Sequence, residues 1–275
     1  MEITCFGCRG SHAVSGNGFT RFGGHTTSFL VTFSDCETVF FIDAGSGICN
    51  AVLPETIQKA HLLFTHTHLD HIVGFPFLPA LRRCGFELTV CGPVARHGAS
   101  IKDVMTTLFA PAFFPVSWNG FPASVSFADK HDGDCFYVDG ITVDCFCLPH
   151  SSATLGYRLR YRNRTAVFCF DAELEALDSR QTEQIGRLLE GTDLLIADAT
   201  YTSRQYSDGR RGFGHSAMET VAAFAERYGI CRTGLTHHSP EADDDILTQH
   251  EKRLQNAFPS ANLFFLREGM KISLI

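Results

Sequence analysis

No stretch of this chain is apolar and uncharged over the roughly 20 residues that a membrane-spanning helix needs, so no such helix is expected. The opening residues, MEITCFGCRG, set no basic segment ahead of an apolar one, so no secretory leader is expected. Basic arms and Lys/Arg clusters are also missing, and the formal net charge is −7. Proteins that grip long nucleic-acid backbones usually carry a basic footprint, so long RNA or DNA is not expected as the main partner. A small anionic substrate stays open, because bound metal ions can invert a local field. There is no internal repeat and no low-complexity linker, and the 275 residues are read as one domain, 1–275. The cysteines number eleven, an odd count, and most lie in apolar runs such as DCFYVDGITVDCFC and AVFCF. Buried free thiols and a reducing cytoplasm are therefore expected, rather than disulfides. Cys5 and Cys8 form a C-x-x-C, but no second pair stands at zinc-ribbon spacing, which argues against a structural zinc there.

What is present begins with apolar runs of strand type near 2–7, 28–34, 37–43, 61–65, 87–91, 124–128, 134–147, 155–161, 164–170, 193–198, 232–236 and 262–267. Helical patterns lie near 72–84, 93–108, 178–190, 215–228 and 243–257. Ser216 followed by Glu219 reads as a capping box at the start of the fourth of these. Strand hairpins dominate each half and helices separate them. That order predicts an α/β protein of four layers, an αβ/βα sandwich of two mixed β-sheets flanked by helices. The segment 109–123, rich in Pro and Phe and holding the one tryptophan, reads either as a packed loop or as a lid or dimer contact.

The chemistry concentrates in His66-Thr67-His68-Leu69-Asp70-His71, at the end of the strand-like run HLLF. Residues two apart in an extended segment point the same way, so His66 and His68 can grip one ion together. The chain then turns, and Asp70 and His71 can face a second. Burying three imidazoles without a metal would leave many polar atoms unsatisfied. Imidazole and carboxylate ligands without thiolate suit zinc, manganese or iron.

This run resembles the H-x-H-x-D-H signature of the metallo-β-lactamase superfamily. GCRGSHAVSGNGFTRFGGHTTSFLV is similar to the opening of its phosphodiesterase-like branch, and FIDAGSG, LPHSSATLGYRL, FCFDAE, IADATYT, GFGHSAMET and LTHHSP follow in family order. That branch includes ribonuclease Z and phosphodiesterases of phosphoribosyl cyclic phosphates and cyclic nucleotides. The resemblance implies a metallo-β-lactamase fold, two divalent metal ions and, by dimeric relatives, a homodimer. It implies His66, His68 and His150 as ligands of one ion, Asp70, His71 and His237 as ligands of the other, and Asp171 as the bridge. His237 is preferred to His238 on the match of LTHHS to the family's L-T-H-x-S. His68 stands where iron-dependent oxygen-reducing relatives carry glutamate, which favours zinc, with manganese as the alternative.

The expected reaction is hydrolysis of a small cyclic phosphodiester, a cyclic nucleotide or ribose cyclic phosphate, by a metal-bridging hydroxide. Asp70 would hold the nucleophile's proton as well as ligate, and His215 would protonate the leaving oxygen. The alternatives are a ribonuclease Z-like RNA endonuclease, a lactone or thioester hydrolase, and a ligand-binding member without catalysis. Asp43 and Asp198 read either as supports of the metal site or as strand-end turn carboxylates. Arg210 and Arg211 read as a solvated pair or as phosphate contacts, and Thr27 and Ser28 as part of a Gly-rich turn or as hydroxyls near substrate. Cys8 and His25 depart from the family's usual Thr and Asn, which bears on substrate rather than metal. His12, His61, His97, His131 and His250 fit no constellation.

Overall fold

The computed structural model describes residues 1–275. The first half builds β1 (Glu2–Gly7), β2 (Ser28–Phe33), β3 (Cys36–Ala44), β4 (Lys59–Leu63), a short α1 (Leu69–Ile72), β5 (Glu87–Pro93), α2 (Ile101–Leu108) and β6 (Ser124–Lys130). The second half builds β7 (Cys135–Val138), β8 (Ile141–Cys147), β9 (Leu155–Tyr161), β10 (Arg164–Cys169), α3 (Ser179–Leu189), β11 (Leu194–Asp198), a single turn α4 (Ser203–Gln205), α5 (Met218–Arg227), β12 (Thr233–Thr236), α6 (Asp244–Ala257) and β13 (Leu263–Phe265). A last strand, β14 (Lys271–Ser273), returns to pair antiparallel with β1.

Two seven-stranded sheets result, ordered β14-β1-β2-β3-β4-β5-β6 and β13-β12-β11-β10-β9-β8-β7. Each sheet changes from antiparallel to parallel pairing midway, at β3–β4 in one and β10–β11 in the other. The sequence explains where. Runs such as VFFI and LLIA are apolar on both faces, as a strand covered on both sides must be. Between the sheets lies a core that includes Phe29, Val31, Phe40, Ile42, Leu159, Phe168 and Ile196. A second apolar layer, with Leu62, Val90, Ile101 and Met105, packs α2 on the outer face of the first sheet. A third, with Val167, Leu195, Ile185, Val221 and Leu254, packs α3, α5 and α6 on the other. This is the four-layer αβ/βα sandwich. No helix is long and apolar enough to cross a membrane.

Several local expectations need correction. The helix expected near 72–84 is α1 followed by two 3-10 turns at Phe75–Phe77 and Pro79–Arg82, because Gly74, Pro76 and Pro79 interrupt an α-helix. The helix expected near 93–108 starts only at Ser100, whose side chain caps it, since β5 runs to Pro93. The run 134–147 is a hairpin whose turn holds Asp139 (φ 47°) and Gly140 (φ 88°). The capping box at Ser216 and Glu219 does not form. Ala217 is the N-cap of α5, Ser216 Oγ donates to the carbonyl of Ala172, and Glu219 accepts from Ser203 and Arg253. The cysteines are all free, but only Cys5, Cys8, Cys91, Cys145 and Cys169 are buried. Cys49, Cys84, Cys135, Cys147 and Cys231 are exposed, at turns or on outward strand positions. In the 109–123 segment, Phe109, Phe114 and Phe121 pack on one another and Phe113 points outward, 73% exposed.

Candidate metal centre

Parallel strands end at one edge of the sandwich, and the polar residues that the sequence singled out follow those ends. His66 comes three residues after β4, Asp171 two after β10, and His237 directly after β12, while Asp198 closes β11. Two of these edge positions, Asp171 (φ 48°) and His237 (φ 58°), and Asp43 (φ 57°) near the end of β3 hold left-handed backbone. Non-glycine residues rarely adopt that conformation, and it costs on the order of 1–3 kcal/mol where tertiary contacts impose it. Here it turns each side chain inward between the sheets.

The seven candidate ligands converge around the Asp171 carboxylate. Its Oδ2 lies 3.4 Å from His66 Nε2 and 3.6 Å from His150 Nε2, and His68 Nδ1 lies 3.2 Å from His150 Nε2. Its Oδ1 lies 3.1 Å from His71 Nε2 and 3.2 Å from His237 Nε2. Asp70 Oδ2 closes the second group, 3.4 Å from His71 Nε2 and 3.3 Å from His237 Nε2. Ligand atoms about 2.0–2.1 Å from a tetrahedral ion stand about 3.3 Å apart, so these spacings suit two ions sharing one carboxylate. His66 Nε2 and Asp171 Oδ1 are buried without a hydrogen-bond partner, as atoms awaiting a cation would be. The residues present therefore fit a pair of divalent metal ions.

Three of the imidazoles are held from behind, which fixes the nitrogen each turns to the centre. His71 Nδ1 lies 2.7 Å from Asp43 Oδ2, and Asp43 also accepts from the Thr65 N–H and hydroxyl. His150 Nδ1 donates to the Gly214 carbonyl at 2.8 Å. His237 Nδ1 lies 3.0 Å from Thr200 Oγ1, which donates to Asp198 Oδ1. Asp43 and Asp198, left open by the sequence, are thus supports of the site. His238 turns away, hydrogen-bonding the Leu266 carbonyl between Phe22 and Phe265.

His215 stacks on His237 with ring centroids 4.7 Å apart, and its Nδ1 lies 2.7 Å from Asp198 Oδ2. Asp198 thereby serves two histidines, and the Nε2 edge of His215 is left for the cleft. Burial opposes charge on this ring, but the adjacent Asp198 carboxylate, helped by Asp171, holds its pKa up to about 9. Burial raises Asp171 in turn, while the surrounding His237, His71 and His66 hold it well below the usual carboxylate range. Burial pushes His66, His68 and His150 down, which keeps these imidazoles neutral and able to ligate.

Other candidates lie apart. Thr27 Oγ1 donates to the Arg9 carbonyl, and Ser28 is buried in β2. His25 meets Ser46. Cys8 Sγ donates to the carbonyls of Phe22 and Leu266. Two contributors lie in the family-like stretches IADATYT and FCFDAE, where nothing in the residues alone marks a role for them. Thr200 is an ordinary residue until the fold brings it to His237. Glu173, buried beside the site, accepts from Tyr206 Oη (2.6 Å), Gly212 N (2.7 Å) and Gly214 N (3.0 Å), so it fastens the loop that leads into His215.

Sandwich and site together define a metal-dependent hydrolase of the metallo-β-lactamase fold. The chain belongs to the beta-lactamase superfamily domain family, whose model matches residues 38–238. It is 25% identical to a ribonuclease Z of Staphylococcus carnosus over 84% of this chain and 88% of that one. A ribonuclease Z of Prochlorococcus marinus is 22% identical over 90% of this chain and 81% of that one. Among solved structures, the metallo-beta-lactamase fold protein YhfI from Bacillus subtilis superposes with a TM-score of 0.72, at 17% identity and 98% coverage of both chains. The short form of human tRNase Z superposes with a TM-score of 0.70, at 17% identity and full coverage of both. A diphosphatase of the PhnP family gives 0.68 at 17% identity, covering 100% of this chain and 98% of that one.

Proposed function

We propose that this protein is a dinuclear phosphodiesterase acting on a small phosphodiester, a cyclic nucleotide or ribose cyclic phosphate in the first instance. One observation carries the reading: Asp171 lies between two ligand groups with His215, paired to Asp198, stacked against the second. Zinc is the ion this donor set favours, with manganese as the alternative. Two such ions, held by His66, His68 and His150 on one side and Asp70, His71 and His237 on the other, would activate water and polarise the phosphoryl oxygens. Asp70, near the rim, accepts the Ser11 N–H at 2.7 Å and can also take the nucleophile's proton. His215 donates a proton to the leaving oxygen from Nε2, and Asp198 stabilises the imidazolium before transfer.

The test is a hydrolysis screen on metal-defined protein with His66→Ala and Asp171→Ala alongside. Both variants are expected to lose at least about a hundredfold in kcat/KM, in line with loss of ligands to catalytic metals. Retention of activity by either contradicts the assigned roles.

A second reading, ribonuclease Z-like cleavage of RNA, is favoured by the names of the relatives. Against it stand the net charge of −7 and the absence of a basic arm or Lys/Arg cluster from the sequence. Cyclic mononucleotides assayed beside a precursor transfer RNA separate the two. Cleavage of the RNA alone rejects the first reading. A homodimer belongs to this proposal too, with Leu69, Phe77 and Phe113 as the exposed apolar surface, and light scattering at micromolar concentration checks it.

A further inference from the structure

Beside His215 stands a row of side chains that the metal chemistry does not use. Tyr201 meets the His215 ring edge-on, with centroids 6.0 Å apart. The Arg210 guanidinium lies over Tyr201 at 5.8 Å and over Phe213 at 5.5 Å. Its flanking rings leave the fork of N–H donors with no acceptor in the protein, neither a hydrogen-bond partner nor a carboxylate. Arg210 is half-buried, so its stem is held while its unpaired donors stay open to the cleft and to an incoming anion. The loop beneath it is fixed, because Glu173 accepts from Tyr206, Gly212 and Gly214 around it. Tyr201, Arg204, Gln205, Asp208, Ser239 and Glu241 join Arg210 around a cleft of about 230 Å³. Of its other charges, Asp208 is taken by Arg204 at 3.5 Å, and Glu241 stands exposed without a cation partner.

We propose that this cleft is a subsite for a second phosphate of the substrate, on the leaving-group side of the scissile bond, with Arg210 as its ligand. The inference rests on the phosphodiesterase reading and narrows it to substrates that carry a further phosphate beyond the diester. Arg210 stands one aromatic ring beyond the His215 imidazole, so it is placed for a neighbouring group rather than for the phosphoryl group at the metals. A planar fork held by aromatic faces suits bidentate contact with phosphate. Glu241 offers an acceptor to the hydroxyls of the sugar that bears this phosphate.

The test uses ligands without a diester, so binding is read apart from turnover. Metal-loaded protein is titrated calorimetrically with adenosine 3′,5′-bisphosphate and with adenosine 5′-monophosphate. The expected preference for the bisphosphate is about tenfold in Kd, the worth of one charge-assisted contact. Arg210→Ala is expected to bring the ratio near one. Arg211→Ala, which removes a neighbouring charge over Tyr206 instead, is expected to keep it. The subsite is overturned if wild-type protein shows no preference or binds neither ligand, if Arg210→Ala keeps the preference, or if Arg211→Ala abolishes it equally. A protein that shows the preference but hydrolyses no phosphodiester sinks the proposed reaction and leaves the subsite standing.

Discussion

A ligand is only as good as the group that aims it, and Asp43 shows this at the scale of one residue. It is buried, sits in left-handed backbone, and spends its carboxylate on His71 Nδ1 and both donors of Thr65. Asp43→Asn keeps the size but loses the charge that fixes His71, so metal affinity is expected to fall about 10–100-fold, the usual cost of such a partner. Competition with a chelating dye measures it; affinity within twofold of wild type would contradict the role. Gly10 makes a complementary case by close approach. A Cβ there would stand 2.2 Å from His237 Nδ1, so Gly10→Ala is expected to displace that ring and weaken metal binding without unfolding the chain. Metal content and circular dichroism, read together, decide it. The candidate ligands were legible in the sequence because four of them crowd into residues 66–71 and the others match ordered motifs. Asp43 and Asp198 stayed ambiguous, since a carboxylate after a strand serves a turn as readily as a metal site. Thr200 lies in the stretch IADATYT but had no role assigned, because that role exists only once β11 and β12 lie side by side.

Elements follow the same logic. The loop between α4 and α5 includes Gly209 (φ 115°), Gly212 (φ 83°) and Gly214 (φ 85°), and it carries both Arg210 and His215. Glu173 organises it through one tyrosine hydroxyl and two backbone N–H groups, and the Gly214 carbonyl in turn orients His150. Glu173→Ala leaves the buried Tyr206 hydroxyl and Gly214 N–H without an acceptor, at a cost of about 1–3 kcal/mol for each donor left unmatched, while the Gly212 N–H can turn to water. Activity is expected to fall with little change in metal content, because the metal-facing atoms come from elsewhere. A variant that lost its metals but kept its per-metal activity would show that Glu173 acts on the ligands instead. Helix placement shows where sequence periodicity misleads. Residues 72–84 carry an apolar pattern of helical type, but Pro76 and Pro79 remove N–H donors and the segment breaks into short turns. By contrast, α3 and α6 begin near where the sequence put them, because Asp178 and Asp243 cap free N–H groups at their starts. β14 escaped notice since it is three residues long and pairs only with the first strand.

At the scale of the molecule, two devices hold the site edge together, and they respond to different variables. Arg9, fully buried, donates to the carbonyls of Gly23, Ser239 and Ala242, tying the N-terminal loop to the segment after His237. Asp244 accepts the N–H groups of Arg21 and Phe22 and lies 3.9 Å from Arg9. These bonds hold its pKa below the ordinary value although burial opposes them. A carboxyl lowered by folding adds stability above its unfolded pKa of about 4, and the contribution is lost as pH falls toward the folded value. Asp244→Asn is therefore expected to lower the melting temperature at pH 7 and to converge on wild type below about pH 4. A gap that persists unchanged at low pH would assign the loss to packing. The second device is the proposed metal pair. Without it Asp171 depends on imidazoles alone, Asp70 on imidazoles and the Ser11 N–H, and His66 Nε2 has no hydrogen-bond partner. Ions that bind only the folded state stabilise it by about 4 kcal/mol at a thousandfold excess over Kd. At about 2–4 °C per kcal/mol for a chain of this size class, chelation is expected to lower the melting temperature by about 10 °C. The shift should vanish in His66→Ala paired with Asp171→Ala, since that double variant lacks a candidate ligand of the first group and the carboxylate that lies between both groups. An equal chelator effect on wild type and double variant would mean that the metals stabilise the fold from somewhere other than this edge.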